Sequence, residues 1–140
     1  MQINKEDSAA PLALAQLPMY DWPEIATATD ALWGAIRDAL IQRNIRAPTT
    51  LDRSLPCEQV WLSKQLLLSQ TCGLPLVQTL GKQVKVLGNF AYQGIAPAGE
   101  YHSVIIARAD NGKDLASLQG KCAAINGADS YSGYLAYKCA

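Results

Sequence analysis

Apolar positions along this chain recur at two spacings, and the changes between them mark out its elements. "LALAQLPMYD" (12–21) opens on an apolar run with small residues that Pro18 and Asp21 bring to an end, which predicts a buried strand running into a loop. In "TATDALWGAIRDALIQRN" (27–44), Leu32, Trp33, Ile36, Leu40 and Ile41 fall at helical spacing. Thr27, with Asp30 three residues on, predicts the start of that helix, and Arg43 belongs to its last turn. "IRAPTTLDR" (45–53) suits a loop or a short strand. "SLPCEQVWLSKQ" (54–65) predicts a second helix, with Pro56 near its first turn and Cys57, Val60, Trp61 and Lys64 three and four apart. The three leucines 66–68 break the one-faced pattern, so a short buried strand is expected over 66–70 and a new helix from "TCGLPL" (71–76).

Further on, "VKVLGNFAYQ" (84–93) and "YHSVIIARA" (101–109) are rich in β-branched and aromatic residues and read as the clearest strands, separated by "GIAPAGE". "NGKDLASLQG" (111–120) reads as a surface connection and "KCAAI" (121–125) as a last short strand. The order β-α-β-α-β-α-β-β is that of an α/β domain with a mainly parallel sheet flanked by helices.

Length and composition narrow the function classes. A chain of 140 residues supports one domain with a real core. Twelve Lys and Arg balance twelve Asp and Glu, so no charge field recruits nucleic acid or an anionic membrane surface. Apolar runs such as "VIIA" (104–107) fall far short of the roughly 20 residues that span a bilayer. The opening "MQINKEDSAAPLALAQLP" is a poor export signal, because Glu6 and Asp7 follow Lys5 and Pro11 and Gln16 break the apolar run. Cys57, Cys72, Cys122 and Cys139 are widely spaced beside a single histidine, His102, so no metal site or cofactor is expected and free thiols are.

Ligands of open α/β sheets sit beyond the C-terminal ends of the strands, which directs attention to three loops: "PMYD" (18–21), "SQTCG" (69–73) and "NGADSYSG" (126–133). The last two place small hydroxylated residues and a glycine at a helix start, with no Lys or Arg. Such a turn holds an oxyanion by dipoles and neutral hydrogen bonds, and it equally describes an ordinary capped helix. Cys72 at a helix start is a candidate nucleophile with His102 as the available base. No G-x-S-x-G elbow or phosphate-binding glycine loop is present, and a non-catalytic role is expected.

In chain order, "LPMYD", "LLLSQTCGLPL", "YHSVIIAR" and "LASLQGKCAAINGADSYSGYLAYK" resemble the phosphate/phosphonate-type substrate-binding proteins of ABC transporters, the PhnD-like group of type 2 periplasmic binding proteins. The resemblance covers about residues 12 to 140. It implies a two-lobed protein about twice this length that closes around a small oxyanion. Residues 1–11 would be a tail, 12–110 the first lobe, and 111–140 the hinge connection and the incomplete start of the second lobe.

Carried over by position, Ser130, Ser132, Gly133 and Tyr134 match the helix-start motif that grips the anion, and Tyr131 stands where relatives often carry Thr or Gln. Tyr20, Thr71, Cys72 and Gly73 match the first-lobe wall, and Tyr101 and Ser103 the hinge-side strand. The resemblance implies a periplasmic protein serving an ABC permease. A cytosolic anion sensor of the same fold and a Cys72-dependent enzyme are the alternatives. A lobe cut short is also expected to self-associate through exposed strand edges.

Overall fold

The computed structural model describes residues 13–97, 99–100, 102–111 and 114–138, and the chain divides into two compact units. The first takes in the described residues up to Thr71 together with Lys82–Val84, and the second takes in Cys72–Gly81 and the chain from Lys85 onward.

The first unit is built on strand β1 (Leu14–Ala15), helix α1 (Ala26–Ile41), helix α2 (Cys57–Trp61) and strand β2 (Leu66–Leu68). The strands pair in parallel, Leu14 opposite Leu66 and Ala15 opposite Leu68, with one irregularity between them. The Leu14 N–H donates to the Gln65 carbonyl at 2.8 Å and the Gln16 N–H to that of Leu68 at 3.0 Å. On the other edge of β1 the Asp52 N–H donates to the Ala15 carbonyl at 2.8 Å, so the 45–53 segment runs alongside as a loop. Parallel neighbours require a long crossover, and α1 and α2 provide it. The α/β class expected from the sequence therefore holds as helices around a two-stranded parallel sheet.

Packing follows the helical spacing. Trp33 is buried with Ala15, Leu17 and Leu51, and Ile36 and Leu40 from the same face of α1 pack there with Ala47, Leu67 and Leu68. Val60 of α2 is fully buried. Each such side chain contributes about 1.5–3 kcal/mol on leaving water. Gln16 is buried too, and its Nε2 donates to the Leu55 carbonyl at 2.9 Å.

The predicted start of α1 is corrected by two residues. Pro23 opens a short 3-10 turn, Pro23–Ile25, closed by the Ile25 N–H on the Trp22 carbonyl at 3.0 Å, so the helix begins at Ala26 with Ile25 rather than Thr27 in the cap position. Asn44, at φ 60°, turns the chain out of the helix, and Arg43 lies just past its end with Nη1 donating to the Ala39 carbonyl at 2.9 Å.

The second unit holds helix α3 (Gly73–Pro75), which widens into a π-helical turn at Leu76–Leu80, and a 3-10 turn at Ala116–Leu118. A second π-helical turn, Tyr131–Leu135, continues as helix α4 (Ala136–Lys138). The new helix expected from "TCGLPL" is α3.

The strands expected over 84–93, 101–109 and 121–125 are not formed by the described residues of those stretches, and the mainly parallel sheet reduces to β1 and β2. The physical reason is the missing neighbour. Between 85 and 92 and between 102 and 107, no main-chain group is hydrogen-bonded to another among the described residues. Strand propensity expresses packing against a partner strand, and without one it fixes nothing. Val86, Leu87, Val104 and Ile106 are accordingly exposed. Within "GIAPAGE" the chain does turn, at Gly94 and Gly99, whose φ of 80° and 83° a side chain would disfavour.

Candidate functional site

In the first unit the parallel register brings the ends of β1 and β2 to one edge, and with them two of the three loops singled out from the sequence. The Met19 N–H donates to Gln70 Oε1 at 3.0 Å, tying loop 18–21 to loop 69–71. The Trp61 indole Nε1 donates to the Gln70 carbonyl at 3.0 Å and to Ser69 Oγ at 3.2 Å, so α2 fixes the second loop from below. Gln70 and Trp61 were not among the expected functional residues. Only the position of Gln70 inside "SQTCG" hinted at its part.

Tyr20, at the tip of the first loop, has φ 67°. A tyrosine in the left-handed region costs about 1–2 kcal/mol. The residue is 57% exposed, and its ring meets that of Trp22, itself 61% exposed, edge to face at a centroid distance of 5.9 Å and an interplanar angle of 82°. Between them in sequence, Asp21 accepts from Arg53 Nε at 2.7 Å and Nη2 at 3.1 Å, and Arg53 Nη2 also reaches Asp30 Oδ1 at 2.9 Å. That guanidinium holds the Asp21 carboxyl below its usual range, and the two carboxylates raise the Arg53 pKa. Thr71 is half-buried at the end of the second loop.

The second unit carries the remaining expected residues. Cys72 occupies the cap position of α3 in an extended conformation, without a side-chain cap bond, and its carbonyl accepts from the Leu76 N–H at 3.3 Å. Gly73 is the first residue of α3 and is exposed. Ser103 and His102 lie exposed in the irregular stretch, and Tyr101 lies outside the described residues.

Ser130, Tyr131, Ser132, Gly133 and Tyr134 are brought together in one turn. Ser130 Oγ accepts from the Gly133 N–H at 3.0 Å, the Ser130 N–H donates to the Gly127 carbonyl at 3.0 Å, and the Leu135 N–H to the Ser130 carbonyl at 3.1 Å. Ser130 thus acts as the cap that the motif predicted. Among the described residues the amides of Tyr131 and Ser132, the first two of the turn, have no acceptor.

Gly133 is required by a close approach. A Cβ there would stand 2.6 Å from Asn126 Cγ and 2.9 Å from its Cβ, inside contact distance. Asn126, which abuts the "SYSG" turn from the end of the preceding segment, is not among the expected site residues.

Burial and the neighbouring Glu58 push the Cys57 thiol up, away from reactivity, whereas Cys122 is exposed. No group of three His, Cys, Asp or Glu among the described residues could hold a metal ion, and no described helix is long and apolar enough to cross a membrane. An open hollow of about 250 Å³ is lined by Leu115, Leu118, Lys121 and Tyr137, and none of the expected ligand residues lines it. Set against family models, curated proteins and solved structures, the chain gives no match.

Proposed function

We propose that this chain belongs to the substrate-binding component of an ABC-type importer and forms a type 2 periplasmic-binding-protein lobe for a small phosphate- or phosphonate-like oxyanion. The carrying observation is the "SYSG" turn, where Ser130 caps a helix start whose first two amides, those of Tyr131 and Ser132, have no acceptor among the described residues. An oxyanion accepts from such donors, and each charge-assisted hydrogen bond contributes roughly 1.5–3 kcal/mol. The order of motifs along the chain supports the family reading. The loops gathered at one edge of the parallel pair support a ligand-binding role for Tyr20 and Thr71. In this reading the protein is periplasmic, works with an ABC permease, and carries out no chemistry on its ligand.

The test is calorimetric titration with phosphate, methylphosphonate and sulfate. Saturable binding that disappears in Ser130→Ala/Ser132→Ala is the expected result. Heats that do not saturate, or that survive both substitutions, would remove the anion site and leave "SYSG" as a capped helix start.

We also propose that the chain self-associates through residues 85–92 and 102–107, whose main-chain groups lack main-chain partners among the described residues and whose Val86, Leu87, Val104 and Ile106 are exposed.

A further inference from the structure

We propose that Asn126 is a site of spontaneous deamidation, which sets a carboxylate against the "SYSG" turn. The chain carries two Asn-Gly pairs, at 111–112 and at 126–127. In such a pair the glycine has no Cβ to obstruct attack by its own nitrogen on the preceding carboxamide, and the asparagine is chemically labile. The Gly127 nitrogen bonds to Asn126 Cγ, the Cγ–Nδ2 bond breaks, and the nitrogen's proton leaves with the amide as ammonia. Water then opens the cyclic imide at either carbonyl and gives aspartate or isoaspartate.

Ring closure requires the peptide between the two residues to rotate, and the fold treats the two pairs differently. At 126–127 Asn126 is exposed, and neither its carbonyl nor the Gly127 N–H is hydrogen-bonded among the described residues. Asn111 is half-buried. Its N–H donates to the Arg108 carbonyl at 3.0 Å and its carbonyl accepts from Ser117 Oγ at 3.4 Å, so the peptide that would rotate is held.

The location gives the modification its consequence. Asn126 Cγ lies 2.6 Å from where Gly133 would carry a Cβ, so a carboxylate formed there stands against the turn and repels an anion. Isoaspartate in addition lengthens the main chain just ahead of the turn. This consequence rests on the anion reading, whereas the modification itself does not.

The experiment incubates the full chain at mildly alkaline pH, folded and in urea, and follows both asparagines by peptide mass mapping. Trypsin separates them, because Lys121 and Lys138 bound the peptide holding Asn126, and Arg108 and Lys113 the one holding Asn111. The ratio of the Asn126 rate to the Asn111 rate is expected to be at least about fivefold higher in the folded chain than in urea, the equivalent of roughly one net hydrogen bond held at Asn111. A ratio unchanged by folding, or lowered by it, would overturn the proposal. Calorimetry with phosphate reads the consequence: Asn126→Asp should weaken binding by at least about tenfold, and Asn111→Asp should leave it unchanged. Undiminished binding in Asn126→Asp would overturn the regulatory role. A wild-type chain that does not bind phosphate would remove the anion reading and that role with it, while the mass map alone decides whether Asn126 is the modified site.

Discussion

Leu14–Ala15 and Leu66–Leu68 are short and, taken as sequence, less strand-like than "KVLGNFAY" (85–92) or "HSVIIAR" (102–108). Yet the weaker candidates are strands and the stronger ones are not. In the first unit β1 has a hydrogen-bonding neighbour on each edge, β2 on one and Asp52 on the other, and Trp33 closes over its apolar face. In the second unit the β-branched residues have no such neighbour among the described residues and remain in water. The difference teaches that a strand is a property of a pair. Each main-chain N–H and C=O needs a partner, and propensity only ranks which segments gain most when one is present.

The strongest way to test this contrast is to remove the keystone of the ordered unit. Trp33→Ala should cost about 3–5 kcal/mol in urea denaturation, because the large side chain leaves a cavity among Leu17, Leu51 and Leu68. Val86→Ala in the second unit should cost less than about 0.5 kcal/mol. Similar losses at the two positions would mean that the exposed segment is packed after all.

Gly133→Ala ranks next, at about 1–3 kcal/mol, since its Cβ would collide with Asn126. Pairing it with Asn126→Gly should restore most of the loss, which amide exchange across residues 126–135 would register.

The proposed self-association predicts a species heavier than a monomer in sedimentation at tens of micromolar by order of magnitude. Val104→Lys/Ile106→Lys should return it to monomer through charge repulsion at the edge. A wild-type monomer at that concentration would sink this part of the reading.

A smaller effect concerns acid. Asp21 is held below its usual pKa of 3.8 chiefly by its hydrogen bonds to Arg53, and Asp52 chiefly by the Leu55 amide. Both carboxyls therefore favour the folded state fully above the ordinary aspartate range, and that contribution is lost as pH falls through their lowered folded values. Below about pH 4, Asp21→Asn should flatten the decline in stability by less than about 1 kcal/mol, because Arg53 is substantially solvated. Thiol labelling at neutral pH separates the cysteines in the same spirit, with Cys122 reacting faster than the half-buried Cys57.

Several features were determined by the sequence alone. The spacing of Trp33, Ile36 and Leu40 marks α1 and the face it buries, and the triple leucine stands out as a strand because it fits no helical stripe. "SYSG" specifies a capped turn, since Ser130 needs only residues three and five further on to make its bonds. These are local relations, complete within a few residues.

What the tertiary structure decided depends on distant partners. Gln70 reaches Met19 and Arg53 reaches Asp21 only because a parallel crossover returns the chain to the same edge, so neither pairing is written in local spacing. The requirement for glycine at 133 appears only once Asn126 lies against it. For 85–92 and 102–107 the strand propensity is genuine, but whether it becomes a sheet is settled by the presence of a hydrogen-bonding neighbour, which no single segment encodes.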